Sequence, residues 1–222
     1  MARYRGPRVK ILRKFIDRAN RAQTSTTNNQ LLPGFSTKRP KKQVGPGQHG
    51  AMLVRKKRSD YGQRLLEKQK LRFNYGITEK QLVHYVKVAL RSKDATGFAL
   101  LQQLEMRLDT IIFNFGLAPT IPNARQLINH GHICVNGKKV TIPSYQCKPG
   151  ENINFFNEKF LLSNKEKNLN SSALQFSNTQ NHLNWDEQTN KGTILGFASR
   201  SSVQSSVRIS VQSSVRPSVQ NL

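Results

Sequence analysis

The sequence predicts an α+β protein, with a mostly helical first domain behind an extended basic N-terminal arm and a small second module of two helices and a β-hairpin. Apolar residues recur at helical spacing from Tyr61 to Phe113, an Asn136-Gly137 pair separates two alternating runs, and positive charge crowds the first part of the chain. Helical spacing marks helices with one buried face, and Asn-Gly between alternating runs is the strongest short-range hairpin signal. The charge decides the function class. The 222 residues carry a formal net charge of +24, and residues 1–93 hold 24 Lys/Arg against 4 Asp/Glu. Such density repels itself unless a polyanion neutralises it, which points to nucleic acid.

A membrane surface is the competing acceptor of positive charge. No stretch approaches the roughly 20 apolar residues that span a bilayer, and the basic segments lack a broad aliphatic face suited to lipid. No membrane partner is therefore expected. Cys134 and Cys147 are too few for a disulfide framework, and a reducing compartment fits. The Arg-rich opening MARYRGPRVKILRKF lacks the serines of a transit peptide and runs on into further basic sequence, so synthesis in the working compartment is expected.

Residues 1–60 read as the arm. Its clusters Arg3-Arg5-Arg8-Lys10-Arg13-Lys14, Lys38-Arg39-Lys41-Lys42 and Arg55-Lys56-Lys57-Arg58 are separated by LLPGF (31–35) and GPGQHG (45–50). The interleaved Tyr4, Phe15 and Phe35 suit an arm that orders against phosphates better than a solubilising tail. Residues 61–95 form the helical domain. Leu65, Leu66 and Leu71 set a helix from Tyr61 to Leu71 in which Glu67 and Lys70 can pair at i,i+3, and Asn74-Tyr75-Gly76 ends it. Thr78, three residues before Gln81, opens a second helix with a capping box, and Leu82, Val83, Val86 and Leu90 follow at helix period.

The second module spans residues 96–156. A helix from Thr96 to Phe113 carries the stripe Leu100, Leu101, Leu104, Leu108, Ile111 and Ile112. Pro122 suits the first turn of the next helix, which turns Arg125, Gln126 and Asn129 away from Leu127 and Ile128. HICVN reads as a strand with Ile133 and Val135 on one face, Lys138-Lys139 follow the turn, and Pro149-Gly150 leads into a strand at 152–156. Residues 157–200 read as a polar return segment with His182, Leu183 and Trp185 as packing anchors, part of it a candidate to complete the helical domain. In residues 201–222 the run SVQSSVR occurs at 202–208 and 210–216, too few copies to stack, so a low-complexity tail is expected.

Candidates for catalysis are weak. His130, His132, Cys134 and Cys147 carry the atoms zinc prefers without the paired C-x2-4-C spacing, and residues 45–50 lack the GK[ST] ending of a phosphate-binding loop. The triplet Arg107-Leu108-Asp109 also occurs in pseudouridine synthases, whose aspartate is the nucleophile. Here Asp109 lies within a helix rather than a Gly-rich loop, which favours helix-surface or interhelix pairs for Arg107 and Asp109. No enzyme activity, metal, cofactor or small-molecule substrate is expected. The cations remain, and RNA is the polyanion read mainly through phosphates and 2′-hydroxyls.

At this point the motifs resemble a known family. MARYRGPRVKILRKF, LPGF…TKRPKK, SDYGQRLLEKQKLRFNYGITEKQL, LLQQLEMRLDTIIF and NARQLINHGHICVNGKKVTIPSYQCKPG are similar to the bacterial and plastid type of small-subunit ribosomal protein S-four, from Met1 to about Phe155. YRGPR and YQCKPG look like the plastid branch. The resemblance implies an RNA-binding module of the alpha-L type, primary binding of 16S rRNA that nucleates assembly of the 30S body, contact with ribosomal protein S-five, and support of decoding accuracy with S-five and S-twelve. It implies a chloroplast-stroma ribosome, or a bacterial cytoplasm as the alternative. By matching motif it places rRNA contacts at Arg3, Arg5, Arg8, Lys10, Lys41, Lys42, Arg55, Lys56, Lys57, Arg58, Tyr61, Arg64, Lys68, Arg72, Arg125, Asn129, His130, Asn136 and Lys138. Where the family usually ends in a strand resembling INELLVVEYYSR, this chain carries its Ser-Val-Gln-Arg repeat. The rival readings are an RNA-modifying enzyme using Asp109 and a free-standing RNA chaperone or translational repressor.

Overall fold

A computed structural model describes residues 4–15, 32–38, 40–42, 44–50, 52, 59–156, 182–186 and 189–199. Arg3, the 55–58 cluster and the repeat at 201–222 lie outside the described residues. The elements in chain order are α1 (Arg8–Lys14), α2 (Asp60–Asn74), α3 (Glu79–Ala89), α4 (Thr96–Glu105), α5 (Leu108–Asn114), α6 (Ile121–Asn129), β1 (Ile133–Val135), β2 (Lys138–Lys139), β3 (Asn152–Phe155), β4 (Leu183–Asp186) and β5 (Lys191–Ile194).

Side-chain caps fix the starts of two of the described helices. The Ser59 hydroxyl accepts from the Gly62 amide at the start of α2, and Tyr75 closes that helix. Glu67 and Lys70 pair at 3.1 Å as their spacing allows. Thr78 and Gln81 cap α3 reciprocally, satisfying two amides that would otherwise lack partners. Pro122 lies in the first turn of α6, where no helical hydrogen bond is lost.

The helix expected from Thr96 to Phe113 is two helices. Arg107 is extended (φ −75, ψ 141) and bridges to Gln146. The loop at 143–147 captures the break: the Cys147 amide donates to the Met106 carbonyl at 2.9 Å, and Leu108 N–H donates to the Tyr145 carbonyl at 2.9 Å. Leu100 and Leu104 of α4 pack with Tyr75, Ile77 and Leu82 and also with Ile121 and Phe113, so this cluster joins the two halves of the chain.

The arm is more than an extended strand of charge. Leu12, Phe15, Leu32 and Phe35 form a buried cluster with Leu66 of α2. Gly34 of the LPGF run is closely packed, donating its amide to Asn74 Oδ1 at 3.1 Å while its carbonyl accepts from Ile121 at 2.9 Å. A Cβ there would lie 2.5 Å from the Asn74 carbonyl oxygen. Gly34→Ala should therefore cost about 1–3 kcal/mol through overpacking, read as a lower urea midpoint. Gly97→Ala, at an open site on α4, should shift the midpoint slightly upward.

The module core joins α5 and α6 to one face of a sheet, through Leu108, Ile111, Ile112, Leu127, Ile128, Ile133, Val135 and Ile153. Asn136 (φ 50) and Gly137 (φ 77) both take left-handed backbone, the geometry a two-residue hairpin turn needs. The sheet order is β2-β1-β3-β5-β4, antiparallel throughout. The polar return segment supplies β4 and β5, and it extends the second module rather than the helical domain: Ile153 faces Gly192 across the β3–β5 pair. Trp185 packs on Phe115 at 5.3 Å between ring centroids, and Gly192 leaves room for that ring.

Candidate nucleic-acid interface

The two domains enclose a cleft of about 1020 Å³. Its first wall is built by the arm and the end of α2. Tyr4 lies edge-on to Phe73 and tilted against Phe35, with centroids 5.7 and 6.0 Å away. Arg8 stands over the Phe35 ring at 5.9 Å and Arg72 over Phe73 at 4.9 Å, so aromatic faces hold two guanidinium groups at the cleft. The second wall is the N-terminal half of α6 and the face it shares with Asn129. Of the residues expected to meet RNA, Arg5, Arg8, Arg72, Arg125 and Asn129 line this single cleft. Tyr4, Phe73, Asn123 and Gln126 line it as well. The arm's aromatic interleaving signalled Tyr4, whereas nothing local signalled Phe73 or Asn123.

Other expected contacts lie outside the cleft lining, on α2, the arm and the hairpin. Arg64, Lys68 and Arg72 recur every fourth residue along one side of α2, and Tyr61 is 74% exposed at its start. Lys68 and Arg72 share Glu79, at 2.8 and 3.4 Å. The Lys68 hydrogen bond, more than the nearby charges, holds that carboxyl below its usual range. Lys10, Lys41 and Lys42 are exposed on the arm. Toward the hairpin, His130 stacks on His132 (6.1 Å, 27°), and Lys139 stands over Phe156 at 5.8 Å. Burial first, then the charges of His130 and Lys139, hold the His132 imidazole below its usual value. Lys138 is exposed beyond the turn. Asn136 is held by Asn152, its Oδ1 accepting at 2.9 Å and its amide donating at 2.8 Å, so it shapes the turn.

Between the domains lies a buried polar network. Asp109 is fully buried and receives Arg107 through both carboxylate oxygens, at 2.9 and 2.8 Å, and Arg125 Nε at 2.7 Å. The Thr110 amide donates to it at 3.0 Å. Of the helix-surface or interhelix pairs expected for Arg107 and Asp109, the structure shows buried ones, with Asp109 of α5 also paired to Arg125 of α6. Both Asp109 oxygens are occupied by cations, which leaves no free lone pair for nucleophilic attack. Nearby, Glu105 accepts from the Tyr75 hydroxyl and from Asn114 at 3.0 Å. Burial, followed by the Glu105 charge, pushes the Tyr75 phenol well above its usual value. Cys134 and Cys147 are buried thiols, and burial raises the latter far above the range in which a thiolate forms. Among the described residues no group of three or more His, Cys, Asp or Glu could hold a metal ion, and no helix is long and apolar enough to cross a membrane.

Comparison with known proteins agrees with this division of the chain. The Ribosomal protein S4/S9 N-terminal domain family matches residues 3–105 and the S4 domain family residues 106–153, meeting at the helix break. The small ribosomal subunit protein uS4 of Thermosynechococcus vestitus is 48% identical over 207 residues, covering 93% of this chain and 94% of the relative. That of a Cyanothece species is 51% identical over 189 residues, 84% of each chain. A Synechococcus counterpart is 55% identical over 159 residues, 72% of this chain and 71% of its own. With both of its domains matched and cyanobacterial relatives at about half identity along nearly its whole length, the chain belongs to the small ribosomal subunit protein uS4 family.

Proposed function

We propose that this chain is a non-catalytic structural constituent of the small ribosomal subunit that binds 16S rRNA across the cleft between its two domains. The observation that carries this reading is the meeting of Arg5, Arg8, Arg72, Arg125 and Asn129, far apart in sequence, around one basic concavity. Lys10, Lys41, Lys42, Tyr61, Arg64 and Lys68 of the first domain and His130, Asn136 and Lys138 of the second are exposed, and in this reading they supply further contacts. Arg3, Arg55, Lys56, Lys57 and Arg58 belong to the same basic set by sequence. A positively charged concavity with aromatic walls suits folded RNA, whose phosphates and exposed bases it can meet together.

The reading carries further roles: nucleating assembly of the 30S body, contacting ribosomal protein S-five, and supporting accuracy with S-five and S-twelve. Cyanobacterial relatives support a bacterial-type ribosome, and the plastid-like motifs YRGPR and YQCKPG favour a chloroplast one. A tagged chain expressed in such a host should stay on small subunits through a high-salt sucrose gradient. Release into the soluble fractions would instead mark a transient chaperone or repressor and overturn the constituent role.

A further inference from the structure

All three nitrogens of the Arg125 guanidinium are taken by protein. Nε donates to Asp109 at 2.7 Å, one terminal nitrogen to the Gly76 carbonyl at 2.5 Å and the other to the Tyr75 carbonyl at 2.7 Å. Those carbonyls close α2 in the first domain, where the helix dipole favours a cation. Gly76 takes φ +60, and a Cβ on it would stand 3.1 Å from the Arg125 guanidinium. On the other side Asp109 is gripped by Arg107, whose remaining terminal nitrogen donates to the Tyr85 hydroxyl of α3 at 2.5 Å. The path runs from Tyr85 in the first domain through Arg107, Asp109 and Arg125 in the second, and returns to Tyr75 and Gly76 in the first. It is a chain of charge-assisted hydrogen bonds with both ends in the first domain, and its members Arg125 and Gly76 line the cleft.

We propose that Arg125 is a positioning residue, locked by Asp109 to the end of α2, that fixes the two walls at their working separation before RNA arrives. The inference rests on the cleft being the rRNA site, and it deepens that reading by dividing the cleft's arginines into two kinds. Arg5 and Arg8 are exposed and meet phosphates, whereas Arg125, with its side chain 16% exposed, acts through geometry. Three of its five N–H groups are already committed to the protein, which fixes the plane of the guanidinium. The affinity of a site whose competent form is only partly populated falls in proportion to that population.

The test measures binding of the full chain to a transcript of the cyanobacterial 16S rRNA five-prime domain at several salt concentrations. Arg125→Lys keeps the cation but replaces the planar fork of three nitrogens with one, and it should weaken binding about tenfold or more if the locked form falls to about a tenth. Asp109→Asn removes a negative charge beside an RNA site, so electrostatics alone would tighten binding, whereas loss of the lock should weaken it. In both variants the slope of log affinity against log salt should match the parent's. A phosphate contact would instead make Arg125→Gln shallower by about 0.7–0.9. Tyr85→Phe removes one hydroxyl and spares the fold, and it should weaken binding in the same sense with the slope unchanged. Near-parental affinity of Arg125→Lys and Tyr85→Phe, tighter binding by Asp109→Asn, or the shallower slope would overturn the proposal. Failure of the parent chain to bind the transcript would instead overturn the rRNA reading, and the inference with it.

Discussion

Affinity for 16S rRNA should fall about a thousandfold or more between about 50 and 200 mM salt if roughly six to ten phosphates are neutralised. Each phosphate contact releases condensed counterions, so the slope of log affinity against log salt counts the contacts. The net of +20 on residues 1–93 sets the expectation of a steep slope. Replacing Arg5, Arg8 and Lys10 together with glutamine should make the slope shallower by about 2–3. The same is expected for Lys56, Lys57 and Arg58. Cys134→Ser, in the module's sheet, should lower stability and leave the slope alone. A nearly flat plot for the parent chain would refute phosphate neutralisation as the source of affinity.

Asp109→Ala should cost about 3–5 kcal/mol, the usual consequence of stripping the partner from a buried ion pair. Arg107 is 2% exposed and would keep its charge with no carboxylate to face. Its Tyr85 hydrogen bond cannot replace two bonds to Asp109. Arg125 would lose its Nε partner as well, which loosens α6 from the end of α2. A loss this large is a substantial part of the margin by which most domains stay folded. Chemical denaturation of the full chain should show it as a large drop in midpoint. A drop under about 1 kcal/mol would mean that water reaches the site and solvates both arginines.

What could be read from the sequence was local. The Thr78–Gln81 capping box, the Glu67–Lys70 pair, Pro122 in the first turn of α6 and the Asn136–Gly137 turn each need only neighbouring residues, and all are present. The break at Met106 has no glycine or proline to announce it, because its cause lies at 143–147, a loop that offers its own backbone to the broken turn. The strands β4 and β5 are four residues each, and LNWD and KGTI are too polar to stand out until β3 supplies their partner. The site divides in the same way. Charge counting finds its cations, but only tertiary packing brings Arg5 and Arg8 to Arg72 and Asn129. A chain seen one residue at a time cannot distinguish an arginine that faces solvent from Arg125, which is tied to three protein acceptors.

The order of strands in the sheet also bears on how the protein is made. β3 is hydrogen-bonded to β1 on one side and to β5 on the other, and β5 comes dozens of residues later. Translation delivers β3 first, so the nascent polypeptide carries one raw strand edge until Ile194 has emerged from the exit tunnel. A message truncated between Phe156 and Leu183 would release a fragment with that edge permanently open, ready to zip onto another copy of itself.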